Sequence, residues 1–248
     1  MQKRTVKAMI LAAGRGNRLR PLTDSLPKPL VPLCGKPLIE YHIEKLVAAG
    51  VQEIVINHAW LGEQIEQTLG NGERWGITIH YSPEPAGGLE TAGGIINALP
   101  LLGDAPFLVI NGDVYCEFDF AELIQQAGSL QNGRLAHLVL VPSPEFNAKG
   151  DFGLVQDGAH DLPQNPAQTN STGRVLAEGQ YTFAGLSVLH PGLFKNMQAG
   201  FIKLAPILRD AMQTGKVSGQ LYEGLWSDIG TLERLTTMQA QLCAESID

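Results

Sequence analysis

The 248-residue chain lacks several features that would assign it to a specialised class of protein. It has no run of about 20 apolar residues, the length that a membrane-spanning helix requires. Its three cysteines, Cys34, Cys116 and Cys243, are scattered and show neither a pairing pattern nor metal-binding spacing, which is typical of a reducing cytoplasm. The net charge of −7 argues against nucleic acid as the main partner, although a few lysines and arginines can still bind a small anion locally.

The features that are present indicate a globular α/β protein. Apolar residues make up 44% of the chain and charged residues 17%, a balance that permits a packed core. The length fits one large domain better than two independent ones. A basic start precedes the apolar stretch of residues 8–13, but that stretch is too short for a secretory signal, so none is expected.

Strand-like and helix-like patterns alternate through the first half of the chain. This βαβ rhythm predicts a three-layer, Rossmann-like mixed sheet that is mostly parallel, with ligands bound beyond the carboxyl ends of its strands. Residues 157–174 are rich in turn-forming residues and predict a loop that could act as a lid. The apolar patterns predict strands at 6–12, 51–56, 77–81, 107–110, 135–141 and 181–189, and helices at 37–49, 61–69, 91–99, 203–213 and from Thr231 to about 243.

The first predicted strand leads into a glycine-bearing loop, residues 11–19. Gly14 and Gly16 would let backbone amides approach phosphate oxygens closely. Arg15 and Arg18 would add charge-assisted hydrogen-bond donors. Such a loop alone fits an ordinary tight turn about as well as a phosphate site.

A lysine held between two prolines strengthens the phosphate interpretation. Pro27 and Pro29 restrict the backbone around Lys28, which is therefore presented from a stiff segment. A dinucleotide-binding turn fits less well, because Leu19 stands at its third glycine position and no acidic residue ends the second strand at Asn57. The pattern favours a triphosphate over a dinucleotide.

Two aspartates, Asp113 and Asp228, end apolar segments beside a glycine, where a carboxylate can face a cleft. Magnesium keeps few protein ligands, so two carboxylates and substrate phosphates suffice to hold it. Either residue alone is better explained as a turn aspartate that bonds its own backbone. The metal interpretation therefore depends on both residues meeting at one site.

The joint motif resembles the signature of the sugar-1-phosphate nucleotidyltransferases, and the match extends across nearly the whole chain. Members of that family join a sugar 1-phosphate to a nucleoside triphosphate and release pyrophosphate. The resemblance implies one domain with a nucleotide-binding part of about 1–113, a smaller sugar-binding β part of about 114–230 and a C-terminal helix at 231–245. The segments that carry it are Leu11–Thr23, Pro27–Leu30, Asn111–Asp113 and Asp228–Thr231.

The same resemblance implies roles for individual residues. The expected catalytic residues are Arg18, Lys28, Asp113 and Asp228, of which the two aspartates would hold Mg²⁺. The nucleotide is expected to contact Ala12, Ala13, Gly14, Gly16, Asn17, Arg18, Lys28, Glu90 and Gly93. No protein nucleophile is expected. His58 is expected to be structural or to contact substrate, because a phosphate monoester dianion needs no base near neutral pH.

On the sugar side, the resemblance implies that Asn111 and Asp151 face the substrate. Many relatives carry a Glu-Lys-Pro segment whose lysine binds the sugar phosphate. The comparable stretch, residues 177–180, has no lysine here. We expect Lys203 to replace it, or failing that Arg174.

Four further segments resemble the branch of the family that uses UTP to activate N-acetylmuramate α-1-phosphate in peptidoglycan recycling. Alternatives are glucose 1-phosphate or mannose 1-phosphate with dTTP, CTP or GTP, and, outside enzymes, a non-catalytic nucleotide-sugar-binding regulatory paralogue. A cytoplasmic protein with no nucleic-acid or membrane partner is expected, and the oligomeric state is left open. The four segments are 56–62, 89–91, 150–152 and 203–206.

Overall fold

A mixed sheet forms the centre of the computed structural model, which describes residues 6–130, 133–156 and 172–244. Eight strands within these residues belong to it. Seven of them lie across the sheet in the order β11 (Val217–Leu221), β8 (Ala136–Pro142), β10 (Gly173–Leu189), β6 (Phe107–Asn111), β1 (Ala8–Leu11), β4 (Glu53–His58) and β5 (Thr78–Pro83), and β9 (Phe152–Gln156) pairs with β10 beside them.

Strand direction divides the sheet at β10. Strand β1 pairs in parallel with both β4 and β6, and β4 pairs in parallel with β5. Strand β10 is antiparallel to β6, β8, β9 and β11, whereas β8 and β11 pair in parallel. The other seven strands therefore share one direction, which confirms the predicted mostly parallel mixed sheet.

Helices cover both faces of the sheet. Adjacent residues of β1 show this directly, because Ile10 packs with α1, α2 and α4 while Met9 packs with α3 and α5. The predicted three layers are thus confirmed. No helix of the described residues is both long and apolar enough to cross a membrane. The helices are α1 (Leu38–Ala48), α2 (Gly62–Leu69), α3 (Glu90–Leu102), α4 (Phe120–Ser129), α5 (Leu204–Gln213) and α6 (Leu232–Ala244).

Apolar spacing explains where the helices form. In α1, Ile39, Ile43 and Leu46 recur at helical spacing and are fully buried, and Gly50 adopts a left-handed φ of 91° just past the end. The final helix α6 begins after Thr231, whose hydroxyl accepts from the Arg234 amide at 3.3 Å as an N-terminal cap.

Several elements escaped the sequence patterns. Helix α4 and strands β9 and β11 were not predicted, and β10 is longer than the predicted strand, so that Gly173 and Arg174 lie in it and not in a loop. Residues 157–171 of the predicted lid lie outside the described residues. Two short antiparallel pairs were also missed: β2 (Pro32–Leu33) with β3 (Lys36–Pro37), and β7 (Val114–Cys116) with β12 (Trp226–Asp228).

The cysteine prediction was wrong. Cys34 and Cys243 form a disulfide with Cα atoms 5.8 Å apart, although 209 positions separate them in sequence. The bond joins α6 to the turn between β2 and β3. Leu235 and Met238 of α6 are buried in a small apolar cluster that is separate from the clusters on the two faces of the main sheet. Cys116 is the free, buried cysteine, and burial raises the pKa of its thiol to about 11. The cysteines therefore no longer support a reducing compartment.

We predict that Cys243→Ser lowers the melting temperature by several degrees. A disulfide that closes a long loop contributes about 2–4 kcal/mol, and each kcal/mol shifts the melting temperature of a chain this size by about 2–4 °C. Thermal unfolding with and without reductant measures the effect. Reductant should lower the wild-type value similarly and leave Cys243→Ser unchanged; a wild-type value insensitive to reductant would contradict the disulfide.

Candidate active site

The carboxyl ends of three neighbouring strands frame a cavity of about 570 Å³. Leu11 of β1 lies in register with Asn57 of β4 on one side and Asn111 of β6 on the other. The walls include residues 11–15, residues 86–91 and residues 111–113, together with Asn17, Lys28, Asn57, Ala59, Trp60 and Glu84. The position matches the expectation that ligands bind beyond the strand ends of an open α/β sheet.

The two aspartates meet at this edge because β7 and β12 pair. Asp228 lies in register with Val114, and the Ile229 amide donates to the Asp113 carbonyl at 2.8 Å. Buried Lys28 reaches the same point and places its Nζ 2.5 Å from Oδ2 of Asp113. The structure thus brings together the predicted lysine and both predicted carboxylates from distant parts of the chain.

The Asp228 carboxylate is incompletely satisfied. Its Oδ2 lies 3.2 Å from Nη2 of Arg234 and 3.8 Å from Nη2 of Arg18, but its buried Oδ1 has no hydrogen-bond partner. Burial, and next the nearby charge of Asp113, raise the pKa of Asp228. An unpaired carboxylate oxygen beside a second carboxylate fits a divalent cation, which would satisfy that oxygen and offset the repulsion.

A metal at this site would be held by few protein groups. Among the described residues, no three or more His, Cys, Asp or Glu side chains gather where they could hold a metal ion. Asp113 and Asp228 would therefore supply two ligands, and the remaining positions would go to substrate oxygens and water. That division suits magnesium, which retains water and binds through one or two carboxylates.

The glycine loop is held from behind by side chains that the sequence patterns did not connect. The Arg15 guanidinium lies 3.4 Å from the centroid of the Trp60 ring and donates to the Thr23 carbonyl at 2.7 Å. The Thr23 hydroxyl donates to the Gly16 carbonyl at 2.8 Å. Gly16 has a left-handed φ of 69° and no part in the cavity wall, whereas Gly14 has open space around it.

A buried amide and a carboxylate fix the floor of the cavity. Asn57 Oδ1 accepts from the Ala12 amide at 2.9 Å, and Asn57 Nδ2 donates to Glu84 Oε1 at 2.6 Å. The other oxygen of Glu84 accepts from the Leu89 amide at 2.7 Å. Sequence reasoning missed Asn57 and Glu84, although polar residues at the tips of two adjacent parallel strands were the available signal.

The two residues of α3 that were expected to contact the nucleotide, Glu90 and Gly93, are placed differently. Glu90 begins α3 with a left-handed φ of 61°, which is uncommon for a non-glycine residue and is found preferentially at functional sites. Gly93 is buried and does not line this cavity, so its predicted nucleotide contact stays a prediction. Its amide donates to the Ile202 carbonyl at 3.1 Å, and a Cβ there would collide with the Gly200 carbonyl oxygen.

A second cavity of about 380 Å³ adjoins the first and shares Glu90, Thr91 and Asn111 with it. Asn111 was predicted to face the sugar, and the other two predicted sugar-side residues, Asp151 and Lys203, line this cavity as well. The remaining wall consists of Phe152, Phe183, Leu204, Ala205, Leu208 and Arg209. The predicted sugar-side residues thus gather in one place next to the cavity that holds the predicted nucleotide residues.

The individual sugar-side residues differ in how firmly they are held. The Asp151 carboxylate accepts from the Phe183 amide at 3.0 Å and from Asn147 Nδ2 at 3.1 Å. Lys203 is exposed and precedes α5 as its N-terminal flank. Arg174 is exposed on β10 and lines neither cavity, so only Lys203 of the two predicted cations reaches the site.

His58 has a packing role and lines neither cavity. The ring is buried, with Nε2 2.7 Å from Oε1 of Glu66. Gly62 packs against the same ring so closely that a Cβ there would overlap it. Of the two roles expected for this histidine, structural or substrate contact, the packing favours the structural one.

Comparison with known proteins decides the family. The model of the nucleotidyl transferase family matches residues 7–245. The chain belongs to this family. Over 236 residues this nucleotidyl transferase is 52% identical to N-acetylmuramate alpha-1-phosphate uridylyltransferase of Neisseria meningitidis, covering 95% of this chain and 97% of the relative. It is 33% identical to the enzyme of the same name from Caulobacter vibrioides, with 96% and 95% covered.

A longer relative supports the family, and two solved structures share the fold. A mannose-1-phosphate guanyltransferase of Hypocrea jecorina is 33% identical over 91% of this nucleotidyl transferase, which spans only 61% of that relative. A Bacillus anthracis structure assigned as a glucose-1-phosphate thymidylyltransferase superposes with a TM-score of 0.78 at 20% identity, covering 96% and 95% of the two chains. A UDP-glucose pyrophosphorylase bound to UDP-glucose superposes with a TM-score of 0.71 at 18% identity, covering 97% and 99%. The two structures confirm the fold.

We predict that Asn57→Ala damages both stability and nucleotide binding. The substitution leaves the Ala12 amide unpaired, at a cost of about 1–3 kcal/mol, and releases Glu84 from the cavity floor. The Michaelis constant for the nucleoside triphosphate should rise while that for the second substrate changes less. Steady-state kinetics and chemical denaturation measure both effects.

Asn97→Ala is the matched control for this prediction. Asn97 lines neither cavity. The substitution removes a side-chain amide that donates to the Ser82 hydroxyl at 3.0 Å. Its kinetics should be those of the wild type. A nucleotide Michaelis constant unchanged in Asn57→Ala would contradict the positioning role and leave only a contribution to stability.

Proposed function

We propose that this protein transfers UMP from UTP to N-acetylmuramate α-1-phosphate, giving UDP-N-acetylmuramate and pyrophosphate in peptidoglycan recycling. The observation that carries the proposal is a pair of adjoining cavities, one of which contains the Lys28–Asp113 pair beside Asp228. The first cavity would hold the nucleotide and the second the sugar. The 52% identity to a uridylyltransferase of that name supports the choice of substrates.

The reaction needs no protein nucleophile. A phosphate oxygen of the sugar 1-phosphate attacks the α-phosphorus of UTP, the new phosphoanhydride bond forms, and pyrophosphate leaves from the opposite side. Both reactants are anions, so their repulsion is the main barrier, and holding them in line supplies much of the acceleration. The protein therefore contributes cations, amide donors and orientation.

Residues of the first cavity would divide this work. Backbone amides of residues 13–17 would face the triphosphate, and Lys28 would pass from Asp113 to the phosphates when substrate binds. Asp113 and Asp228 would hold Mg²⁺, which when bound supplies Lewis-acid stabilisation of the phosphate charge. Arg18 would add a cation near Asp228. The uracil would lie between Ala12 and the segment at 88–91.

Sequence identity favours the uridylyltransferase assignment over the guanylyl alternative. The relative from Neisseria meningitidis that carries the muramate name is 52% identical, whereas two mannose-1-phosphate relatives are 33% and 32% identical, and this chain spans 61% of each of them. A non-catalytic binder is disfavoured, because it would have no chemical need for Lys28 and two carboxylates at one point. The proposed cytoplasmic location now depends on the nucleoside triphosphate substrate and no longer on the cysteines.

We predict magnesium-dependent pyrophosphate release that is confined to UTP with N-acetylmuramate α-1-phosphate. The assay covers UTP, dTTP, CTP and GTP, each with N-acetylmuramate α-1-phosphate, glucose 1-phosphate and mannose 1-phosphate. A chelator should abolish the signal until Mg²⁺ is restored. Asp113→Asn should reduce kcat by at least about 100-fold, because metal stabilisation is worth several kcal/mol. Asp104→Asn, on an exposed turn before β6, is the control. A signal with another substrate pair would refute the proposed substrates, and the absence of a signal with every pair would refute the proposed catalytic activity.

We also predict that Lys203→Met raises the Michaelis constant for the sugar 1-phosphate about tenfold or more, because a charge-assisted contact to phosphate is lost. The Michaelis constant for UTP should stay within about twofold of the wild-type value. Arg174→Met serves as the control cation outside both cavities. An unchanged Michaelis constant for the sugar phosphate in Lys203→Met would end this assignment.

A further inference from the structure

Helix α5 presents two cations to the second cavity. Lys203 flanks its N-terminus and Arg209 lies in its second turn, and both line the wall. They are six positions apart, which corresponds to roughly 9 Å along a helix axis. This separation allows each cation to engage a different anionic group of one substrate.

Arg209 is held in place but keeps its terminal donors available. Its Nε donates to the Ala177 carbonyl at 3.2 Å, and its guanidinium carbon lies 5.4 Å from the centroid of the Phe152 ring. Within the described parts of the chain, its two terminal nitrogens have neither a carboxylate nor any other hydrogen-bond partner. An oriented guanidinium with two parallel free donors matches the geometry of a carboxylate.

The carboxylate that lines the same cavity does not neutralise Arg209. Both oxygens of Asp151 accept hydrogen bonds from other groups, the Phe183 amide and the Asn147 side chain. Asp151 therefore holds the segment just before β9 against β10, and among the described residues it forms no ion pair with Arg209. The guanidinium remains available to an incoming anion.

The two cations are attached to different parts of the fold, one beside the nucleotide cavity and one away from it. The residue before Lys203 is tied to that cavity's wall, since the Ile202 amide donates to the Leu89 carbonyl and the Ala92 amide donates to the Ile202 carbonyl, both at 3.0 Å. Arg209 is tied instead to Ala177 and Phe152 on β10 and β9. A phosphate that must meet the α-phosphorus belongs at Lys203, and a second anion belongs farther out at Arg209.

We propose that Arg209 binds the lactyl carboxylate of N-acetylmuramate 1-phosphate and thereby selects the muramate sugar; this rests on the proposed function. The substrate carries a phosphate on C1 and a lactyl ether on C3, so its two anions lie on separated ring positions, as the two cations lie on α5. Phe152 and Leu208 supply apolar surface beside Arg209 for the lactyl methyl group. Arg209 is thus a specificity-determining contact on the side of the sugar away from the reaction.

The test compares the natural substrate with its lactamide, in which an uncharged amide replaces the carboxylate at nearly the same size. Wild-type kcat/KM should favour the acid by about 10- to 100-fold, the range expected for a charge-assisted pair. Arg209→Gln should reduce that preference to about 1, and Arg209→Lys should give an intermediate value. Arg174→Gln, at an exposed residue of β10 outside both cavities, should keep the full preference.

The acid-to-amide ratio is measured within each protein sample, so it does not depend on how much of a variant is folded. An Arg209→Gln enzyme that keeps the wild-type ratio overturns the assignment, and so does an equal loss with both substrates, which would show a purely structural role. Both of these leave the proposed function intact. A wild-type enzyme that turns over other sugar phosphates but not the muramate overturns the proposed function and this assignment together.

Discussion

The pairing of β7 with β12 is the constraint on which the site depends. It sets Asp113 and Asp228 side by side in a partly buried position, where burial, and next the repulsion between their negative charges, raise the pKa of Asp228. Lys28, Arg234 and Arg18 surround the pair and offset part of that repulsion. One buried oxygen of Asp228 nevertheless remains without a partner. The protein's own groups therefore leave part of the negative charge and one hydrogen-bond acceptor of the two aspartates unsatisfied. A bound cation with phosphates would satisfy both, which favours its binding here over staying in water.

The groups that position the site are separate from those expected to touch substrate. Asn57 and Glu84 connect the tip of β4 to the amides of Ala12 and Leu89, so the two walls of the first cavity cannot shift independently. Arg15 braces the glycine loop against Trp60. Each of these contacts joins the carboxyl end of one strand to the loop of another. These side chains lie behind the cavity wall and therefore hold the proposed triphosphate site in place relative to the parallel strands.

Sequence patterns predicted the layers of the fold, because strand-like and helix-like segments alternate, and aspartates beside glycines at the ends of apolar segments indicated the candidate metal site. The family resemblance assigned Gly93 to the nucleotide, but a resemblance does not show which face of α3 meets the cavity, and in the structure Gly93 packs against Gly200. The Cys34–Cys243 bond was missed because it depends on how α6 docks, which spacing along the chain does not encode. Asn57 and Glu84 were missed because a buried polar network is a property of two strands together.

The two cavities differ in what determines their specificity. The glycine loop and several charged and polar side chains line the first, where the proposed reaction centre lies. Side chains of α5 line much of the second, so under the proposed function substitutions there would change the preference for the sugar without altering the reaction centre. The stretch that carries a lysine in many relatives is residues 177–180 here, and its Ala177 carbonyl accepts from Arg209 instead. Where many relatives carry a positive charge on the strand that corresponds to β10, this protein carries it on helix α5. Because α5 runs along the cavity, it can present two cations in succession, which a single lysine on β10 could not do.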